Sequence, residues 1–207
     1  MHAEDETFLQ RIITGDETWV HHYEPESKRR SMEWRHADSP RKNKFKSQPS
    51  AGKVMATVFW DYQGVILIDF MAKGTTINSE AYIETLRKLK TRLKRCRPNV
   101  NVANMLLQHD NARPHTSLRT REEITRHGWT TLPHPPYSPD LAPSDFHLFG
   151  PMKEGLRGQQ FSTDEEVKTA VRSWLRSQPS SFYEAGILAL IKRWTAAVDN
   201  GGNYIEK

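Results

Sequence analysis

Residues 53–71 read KVMATVFWDYQGVILIDFM, and this stretch decides the fold class. Two β-rich runs, 54–60 and 65–71, flank the turn sequence DYQG at 61–64, which predicts a β-hairpin. Both runs are apolar at consecutive positions, so both faces of the sheet that they form should be covered. The stretch therefore predicts a sheet with other elements packed on both of its sides.

The segments around this hairpin alternate between helical and strand-like patterns. Upstream, FLQRII at 8–13 predicts a short helix, followed by a turn at Gly15 and a strand that starts at Asp16. Downstream, we expect an amphipathic helix with a basic face over 79–97, a strand over 104–109, a helix over about 115–127 and a strand over 129–133. Strands gathered early and helices mixed in later predict one α/β domain with a mixed sheet.

Two amphipathic helices close the chain, and a capping-box sequence precedes each of them. In the first box Glu165 stands three residues after Ser162, and in the second Glu184 stands three residues after Ser181. Each serine is therefore predicted to cap the first turn of its helix.

Residues 24–52 differ in character from the rest of the chain. They contain three prolines and eight Lys or Arg residues, and they show no apolar period. Long loops inside compact domains are uncommon and tend to be functional, so we predict a functional basic loop. Trp34 stands isolated in this polar surrounding, where a large aromatic side chain is typical of an interface.

Composition limits the classes of protein to which the chain can belong. Its 207 residues suit one domain, and a net charge of +5 is a mild indication of a polyanionic partner. No apolar run approaches the ~18 residues that a membrane helix needs, and the acidic start does not resemble a signal peptide. Because such a run is missing, we expect no membrane partner. Cys96 is the only cysteine, which excludes a disulfide scaffold and a multi-cysteine metal site.

Three aspartates stand where rigid elements are predicted to start or end. Asp16 begins a strand, Asp110 follows the next apolar strand, and Asp145 opens a helix. Carboxylates brought to one point repel one another unless a cation neutralises them, and their hard oxygens suit Mg²⁺ or Mn²⁺. Two such ions activate water and stabilise the leaving oxygen of a phosphodiester. The residues alone also allow a turn, a helix cap and a helix-dipole charge as roles for these aspartates.

Other kinds of active site have weaker support in the sequence. The nine histidines show no HExxH or paired-ligand spacing, so a zinc centre is not expected. The sequence contains no GxSxG and no Gly-rich phosphate loop, which argues against a serine hydrolase and a nucleotide cofactor. His109 precedes Asp110 on the same predicted strand, so its side chain should point to the opposite face of the sheet.

Three motifs surround the aspartates: TGDETWVH at 14–21, HDNARPHTS at 109–117 and YSPDLAPSDFHLF at 137–149. They resemble the catalytic blocks of mariner-type transposases, within the Tc1/mariner superfamily. The third is the most specific of them, and its aspartate follows the second aspartate at the mariner spacing. Because the resemblance covers nearly the whole chain, it favours a metal-binding role of the aspartates over the roles in a turn, a helix cap or a helix dipole.

The resemblance implies an RNase H-like fold, a mixed β-sheet flanked by α-helices, in one catalytic domain over 1–207. It implies that Asp16, Asp110 and Asp145 are catalytic and hold Mg²⁺ or Mn²⁺, with two ions in each active site. Residues 24–52 correspond to the family's clamp loop, which reaches the partner subunit of a homodimer, and Trp34 is the expected contact in this chain. The helix-turn-helix domains that read the inverted repeats lie upstream in the family. The chain therefore resembles a catalytic core, which we expect to be monomeric or weakly dimeric alone.

The implied activity is cut-and-paste DNA transposition in the nucleus. Water cleaves the strands at the transposon ends, and the freed 3′-hydroxyl attacks target DNA at TA sites. Two alternatives stay open: a host-captured domain that binds DNA without productive transposition, and a general nuclease of the same fold that acts on RNA–DNA hybrids. The basic loop and the second and third motifs argue against the general nuclease. Pro151 is expected to kink or shorten the helix after Asp145.

Contacts to DNA phosphates are expected from basic side chains in two regions. The candidates near the second motif are Arg113, His115 and Arg119. The candidates in the loop are Lys28, Arg29, Arg30, Arg41, Lys42 and Lys44. Binding through such contacts should be weak, steeply dependent on salt and nearly blind to sequence. The alternative is a solvated basic surface without a ligand.

Overall fold

The computed structural model describes residues 7–25 and 51–202, so nearly all of the predicted basic loop lies outside the described residues. A mixed sheet runs through the described part in the strand order β3-β2-β1-β4-β5. The strands are β1 (Ile12–His21), β2 (Lys53–Asp61), β3 (Gly64–Phe70), β4 (Leu106–Gln108) and β5 (Thr130–Thr131). β2 is antiparallel to β1 and β3, whereas β4 is parallel to both β1 and β5. The predicted hairpin is confirmed as β2–β3.

Helices lie on both sides of the sheet. They are α1 (Ser79–Cys96), α2 (Arg113–Thr116), α3 (Leu118–His127), α4 (Phe149–Leu156), α5 (Asp164–Ser177) and α6 (Ser180–Asp199). A π-helical turn, Ser144–Leu148, leads directly into α4. The amphipathic helix predicted over 79–97 is confirmed as α1, with Tyr82, Leu86, Leu89 and Leu93 buried on its inner face.

The two faces of the sheet contribute to separate hydrophobic cores. On one face, α1 and α3 pack against Ile13, Phe59 and Leu107. On the other face, α4, α5 and α6 pack against Ile12 and Val58. Neighbouring residues of a strand point to opposite faces, so the consecutive apolar residues of β1 and β2 serve both cores. The expected α/β architecture with a mixed sheet covered on both sides is therefore confirmed.

β1 starts earlier than predicted, and Gly15 makes no turn. The pairing of β1 with β2 continues from Ile13 to His21, so Gly15 lies inside the strand. Gly15 is opposite Phe59, and a Cβ atom at position 15 would overlap the Phe59 ring. The close approach of the two strands is the reason for glycine at this position. As a result, Asp16 projects from the middle of a central strand.

Several other boundaries also differ from the predicted ones. Helical residues near the start of the chain end at Leu9, and the two later strands are shortened to β4 and β5. The helix expected over about 115–127 is divided, because the side chain of Ser117 accepts a hydrogen bond from the backbone of Thr120 and caps α3. Gly128 closes α3 with a φ of 81°, as predicted.

Neither closing helix is capped by the predicted serine. α5 is capped one residue later by Thr163, whose hydroxyl accepts from the Glu166 backbone, while the Glu166 carboxylate accepts from the Ser162 backbone. α6 begins at Ser180 after Pro179, without a side-chain cap. Within the described residues, no helix is both long enough and apolar enough to cross a membrane.

Candidate active site

Asp16 and Glu17 are neighbours on β1 that point to opposite faces of the sheet. By the alternation of β1, Asp16 shares the face of Ile12, which α4–α6 cover, and Glu17 shares the face of Ile13, which α1 covers. One Asp16 carboxylate oxygen accepts a hydrogen bond of 2.7 Å from the Glu17 backbone. Burial, followed by the negative charge of Asp145, raises the pKa of Asp16 to about 8. Asp16 therefore lies in a partly buried site that already holds negative charge.

Asp110 lies just beyond the end of β4 and is held by two hydrogen bonds. Its Oδ1 atom accepts from the Ala112 backbone at 3.0 Å and pairs with Nδ1 of His115 at 2.6 Å. The hydrogen bond with His115 is the main reason why the pKa of Asp110 is lowered. Asp110 is therefore ionised over a wide pH range, in contrast to Asp16.

Asp145 lies in the π-helical turn, which two hydrogen bonds fasten to the protein interior. The Trp60 indole donates to the Ser144 hydroxyl at 3.1 Å, and the imidazole of His147 donates to the Phe182 carbonyl at 2.7 Å. Burial, and then the charge of Asp110, raise the pKa of Asp145. π-helical turns are frequent at functional sites, which agrees with the place of Asp145.

Pro151 does not break the helix that follows Asp145. It is the third residue of α4, within the first helical turn, where a missing backbone N–H removes little hydrogen bonding. The helix is divided instead between the π-helical turn and α4. The kink or shortening expected from Pro151 is therefore not confirmed, because α4 continues through this residue to Leu156.

The segment before Asp145 is attached to both β4 and α6. The Gln108 side chain donates to the Leu141 carbonyl at 2.7 Å. Arg193 donates to the Asp140 carbonyl at 2.8 Å, and its guanidinium lies 4.1 Å from the centre of the Phe146 ring. These contacts hold the third motif against the sheet, next to the end of β4.

The structure brings the three aspartates together from β1, the end of β4 and the π-helical turn. The charge of Asp145 contributes to the raised pKa of Asp16. The charge of Asp110 contributes to the raised pKa values of both Asp16 and Asp145. Asp110 and Asp145 also line a common cavity of about 380 Å³. The arrangement gathers hard oxygen donors and unfavourable negative charge, which a divalent cation would offset.

The side chains do not enclose an ion by themselves. Within residues 7–25 and 51–202, no three His, Cys, Asp or Glu side chains converge closely enough to hold one metal ion. Mg²⁺ typically takes one or two carboxylates and completes its shell with water and substrate phosphate oxygens. The donor set therefore fits ions that the aspartates share with water and with a phosphate.

His115 does not have the surface position that a phosphate contact would need. Its side chain is 2% exposed, and its Nε2 atom lies 3.5 Å from a Glu17 carboxylate oxygen. Burial lowers the pKa of His115, but the hydrogen bond with Asp110 and the interactions with Glu17 outweigh it and raise the pKa to about 9. His115 is therefore a buried cation between two carboxylates, and the expected phosphate contact is corrected to a role inside the site.

An aromatic cluster that the sequence analysis missed surrounds His115. The centres of the Tyr82 and His115 rings lie 4.0 Å apart. The His109 ring stacks on the His115 ring, with the two centres 5.1 Å apart. The Tyr82 hydroxyl and Nδ1 of His109 are hydrogen-bonded at 2.7 Å. Burial, and then the charge of His115, lower the pKa of His109 to about 3. His109 thus turns towards α1, as strand alternation predicts, and is neutral beside a charged histidine.

The other predicted DNA contacts have different surroundings. Arg113 is exposed at the start of α2, and Arg119 is exposed on α3 with an ion pair of 2.9 Å to Glu80. The predicted contacts in the loop and the predicted dimer contact Trp34 lie outside the described residues. Arg113 and Arg119 therefore stay candidates for phosphate contacts.

Comparisons with known proteins identify similar sequences over nearly the whole chain. The family model described as "Transposase (partial DDE domain)" matches residues 24–102. The chain is 36% identical over 203 residues to histone-lysine N-methyltransferase SETMAR of Homo sapiens. The aligned region covers 98% of this chain and 29% of that protein. It is 36% identical over 202 residues to Mariner Mos1 transposase of Drosophila mauritiana, over 97% of this chain and 58% of that protein. The chain thus spans less than two thirds of the length of either relative.

Solved structures of Mos1 are similar in fold. The Mos1 mariner paired-end complex with Mn matches with a TM-score of 0.88 at 35% identity, over 98% of this chain and 59% of that one. The catalytic domain of Mos1 mariner transposase matches with a TM-score of 0.80 at 34% identity, over 98% of this chain and 88% of that one. The strand order and this likeness together establish the RNase H-like fold.

Proposed function

This chain belongs to the mariner-type transposases and matches their catalytic domain, and from that premise we propose that it cuts transposon DNA and joins it to a target. Water hydrolyses a phosphodiester at each transposon end, and the 3′-hydroxyl that is released attacks a target strand at a TA site. The observation that carries the proposal is the meeting of Asp16, Asp110 and Asp145 beside a cavity, from three separate elements.

Mg²⁺ or Mn²⁺, with two ions in each site, is the proposed cofactor, and structures of Mos1 contain Mn or Mg. When bound, the ions supply the charge that activates water and stabilises the leaving oxygen. His115 keeps Asp110 ionised and fixes the direction of its carboxylate. The pKa values of Asp16 and Asp145 are raised, and positive charge bound beside these carboxylates would lower both pKa values and favour the ionised forms.

DNA is the proposed partner, as transposon ends and as TA-containing target. A Mos1 structure with paired transposon ends supports the first of these. We further propose that residues 1–207 form one catalytic domain that acts in the nucleus. In this proposal, residues 24–52 contact the second subunit of a homodimer.

A host-captured domain without productive transposition is the second candidate function. The human relative is a histone-lysine N-methyltransferase, and the similar region makes up only 29% of it. A domain of this kind would keep the fold and the binding of DNA but would not join a 3′-hydroxyl to a target.

Two reactions of the purified chain test these functions. We expect the chain to nick a supercoiled plasmid in Mn²⁺ or Mg²⁺, and to join an oligonucleotide with a free 3′-hydroxyl to plasmid TA sites. Asp110→Asn should abolish both reactions and leave the fold intact, since a neutral amide cannot offset ion charge. Asp199→Asn, at the exposed end of α6, is the matched control and should retain both.

The outcomes separate the candidates. Nicking without joining would support the captured domain, and nicking by Asp110→Asn at the unaltered rate would reject the aspartate site.

A further inference from the structure

Tyr137, in the third motif, has an unusual backbone and an unusual exposure. Among the described residues it is the only one other than glycine with a positive φ, at 55°. Its side chain is 100% exposed. A bulky residue rarely adopts the left-handed conformation, and such strain persists only where the surroundings enforce it. The fold therefore holds a large aromatic ring in water at a conformational cost.

The surroundings of Tyr137 are rigid enough to enforce this conformation. Pro135, Pro136 and Pro139 fix three φ angles around it. On the upstream side, the Asn111 side chain donates to the His134 carbonyl at 2.6 Å. On the downstream side, the segment is attached to β4 and α6 by the contacts of Leu141 and Asp140 described above. The display of the ring is thus a fixed property of the segment.

The position of Tyr137 relates it to the aspartates. Tyr137 lines the same cavity of about 380 Å³ as Asp110 and Asp145. Pro135, Pro136, Pro139 and Ala142 also line this cavity. A cavity of this volume is in the range of sites for small molecules, so it admits one nucleotide but not a duplex.

We propose that Tyr137 stacks on an unpaired nucleobase and so holds one nucleotide of the DNA end out of the duplex, beside the bond that the aspartates cleave. The inference rests on the proposed DNA-cleaving function and deepens it. Both faces of a base inside a duplex are covered by neighbouring bases, so an aromatic side chain can stack only on a terminal or extruded base. Aromatic rings at single-strand sites bind bases in this way without reading their sequence.

The location of the ring favours a base over a protein surface as its occupant. Tyr137 lines the cavity that Asp110 and Asp145 also line, so a group stacked on the cavity side of its ring lies beside these aspartates. A DNA strand whose phosphodiester reaches these aspartates places its adjacent base at the cavity wall. A protein segment in the same place would block the strand.

Two substitutions separate the ring from the backbone conformation. Tyr137→Phe keeps the aromatic face, whereas Tyr137→Asn removes it and suits the left-handed backbone better than tyrosine does. Tyr137→Asn should therefore fold with at least the thermal stability of the wild-type chain. Val198→Asn, at a side chain that is 78% exposed near the end of α6, is the control for replacing an exposed apolar group by asparagine.

The test compares two versions of one short duplex. The bond that the wild-type chain cleaves is mapped first, and the second duplex carries a mismatch at the adjacent base pair. Stacking is worth about 1–3 kcal/mol per base, so Tyr137→Asn should cleave the fully paired duplex about 5- to 150-fold more slowly. The mismatch should restore most of the lost rate, because that base is already unpaired. Tyr137→Phe and Val198→Asn should match the wild type on both duplexes.

A cross-linking measurement identifies the contact directly. A 5-iodouracil placed at the same nucleotide should cross-link to residue 137 of the wild-type chain on irradiation, and not to the Tyr137→Asn variant. Wild-type cleavage of the paired duplex by Tyr137→Asn, or an equal loss on both duplexes, would overturn the inference; the second result would also indicate a protein partner or a general role. Failure of the wild-type chain to cleave any DNA would reject the proposed function itself.

Discussion

His115 and Asp110 form a hydrogen-bonded pair across the turn between β4 and α2, with Nδ1 2.6 Å from Oδ1. On its other side the same imidazole lies 3.5 Å from Glu17, which belongs to β1. The buried cation therefore joins the second motif to the central strand. Because its partner is one of the three aspartates, this pair controls both the direction and the charge of a group in the site.

Replacement of His115 by asparagine should change how cleavage depends on pH. The hydrogen bond with His115 is the main cause of the lowered pKa of Asp110, so His115→Asn should raise that pKa. The acid limb of the pH–rate profile for plasmid nicking should move to higher pH. The free energy of unfolding should decrease by about 1–3 kcal/mol, measured by chemical denaturation. His22→Asn is the control, because it removes a different histidine–aspartate contact, 2.7 Å from His22 Nε2 to Asp164 Oδ1, and should leave the pH–rate profile unchanged. A shift of equal size in His22→Asn would contradict the role of His115.

The raised pKa of Asp16 predicts that the chain loses stability as pH rises. The folded chain keeps a proton on Asp16 up to pH about 8, whereas the unfolded chain releases it near 3.8, so the free energy of unfolding should fall over this interval. His115 adds a further decrease as pH rises from 6.5 through about 9. The difference between the wild type and Asp16→Asn isolates the first effect. We expect Mg²⁺ to raise the wild-type Tm more at pH 8 than at pH 5, and equal shifts would speak against metal at Asp16.

Trp60→Phe should impair cleavage more than its effect on stability explains. The substitution removes the hydrogen bond from the indole to Ser144, which precedes Asp145 in the π-helical turn. A small displacement of a reacting group can reduce a rate by about 100-fold, so we expect a 10- to 100-fold slower nicking reaction. Trp129→Phe is the matched control, because its indole donates to the Val102 carbonyl at 2.7 Å in the other core. Both variants should lose about 1–3 kcal/mol of stability, and only the first should lose most of its activity.

Gly15→Ala should disturb β1 next to Asp16. The added methyl group would overlap the Phe59 ring, and such overpacking costs about 1–3 kcal/mol. We expect a lower Tm and slower nicking, with partial recovery of both in the double variant Gly15→Ala/Phe59→Leu. Gly150→Ala in α4 meets no atom within 4 Å and should be neutral or slightly stabilising. Normal stability of Gly15→Ala would show that the strands can separate at no cost.

Arg113→Ala should weaken binding of DNA to the same extent for all sequences. If Arg113 contacts one phosphate, its loss should reduce the slope of log K against log salt by about 0.9. Arg119 is already paired with Glu80, so Arg119→Ala should have a smaller effect. Fluorescence anisotropy with a labelled duplex over a series of salt concentrations measures both. Arg176→Ala, on the exposed last turn of α5, is the control and should leave the slope unchanged.

The elements that the sequence predicts well are those with a long local pattern. The β2–β3 hairpin and α1 each show a clear periodicity and a turn or proline boundary, and both appear nearly as predicted. β4 and β5 are much shorter than predicted, because only three and two of their residues pair with neighbouring strands. Pairing between distant segments sets these lengths, and no local pattern reports it.

The site shows the same division between local and distant information. The motifs indicate the three aspartates, and the structure brings these together. The burial of His115 between Asp110 and Glu17 depends on contacts between segments about a hundred residues apart, so the sequence analysis placed it on the surface. The five-residue step from Asp110 to His115 within one motif was the available signal. The left-handed backbone of Tyr137 has no signature in its residue type, since glycine or asparagine is the usual choice there.

The three aspartates lie on segments that are far apart in the sequence and meet only when β4 pairs with β1. A chain that is incompletely synthesised, or that has been cut between the first and third motifs and has come apart, contains the acidic residues but no site. Under the proposed function, the capacity to cleave DNA therefore depends on these long-range contacts and does not reside in any single motif. If the chain cleaves DNA as proposed, a copy that is incomplete, or that has been cut and has come apart, lacks the assembled site and should leave DNA intact.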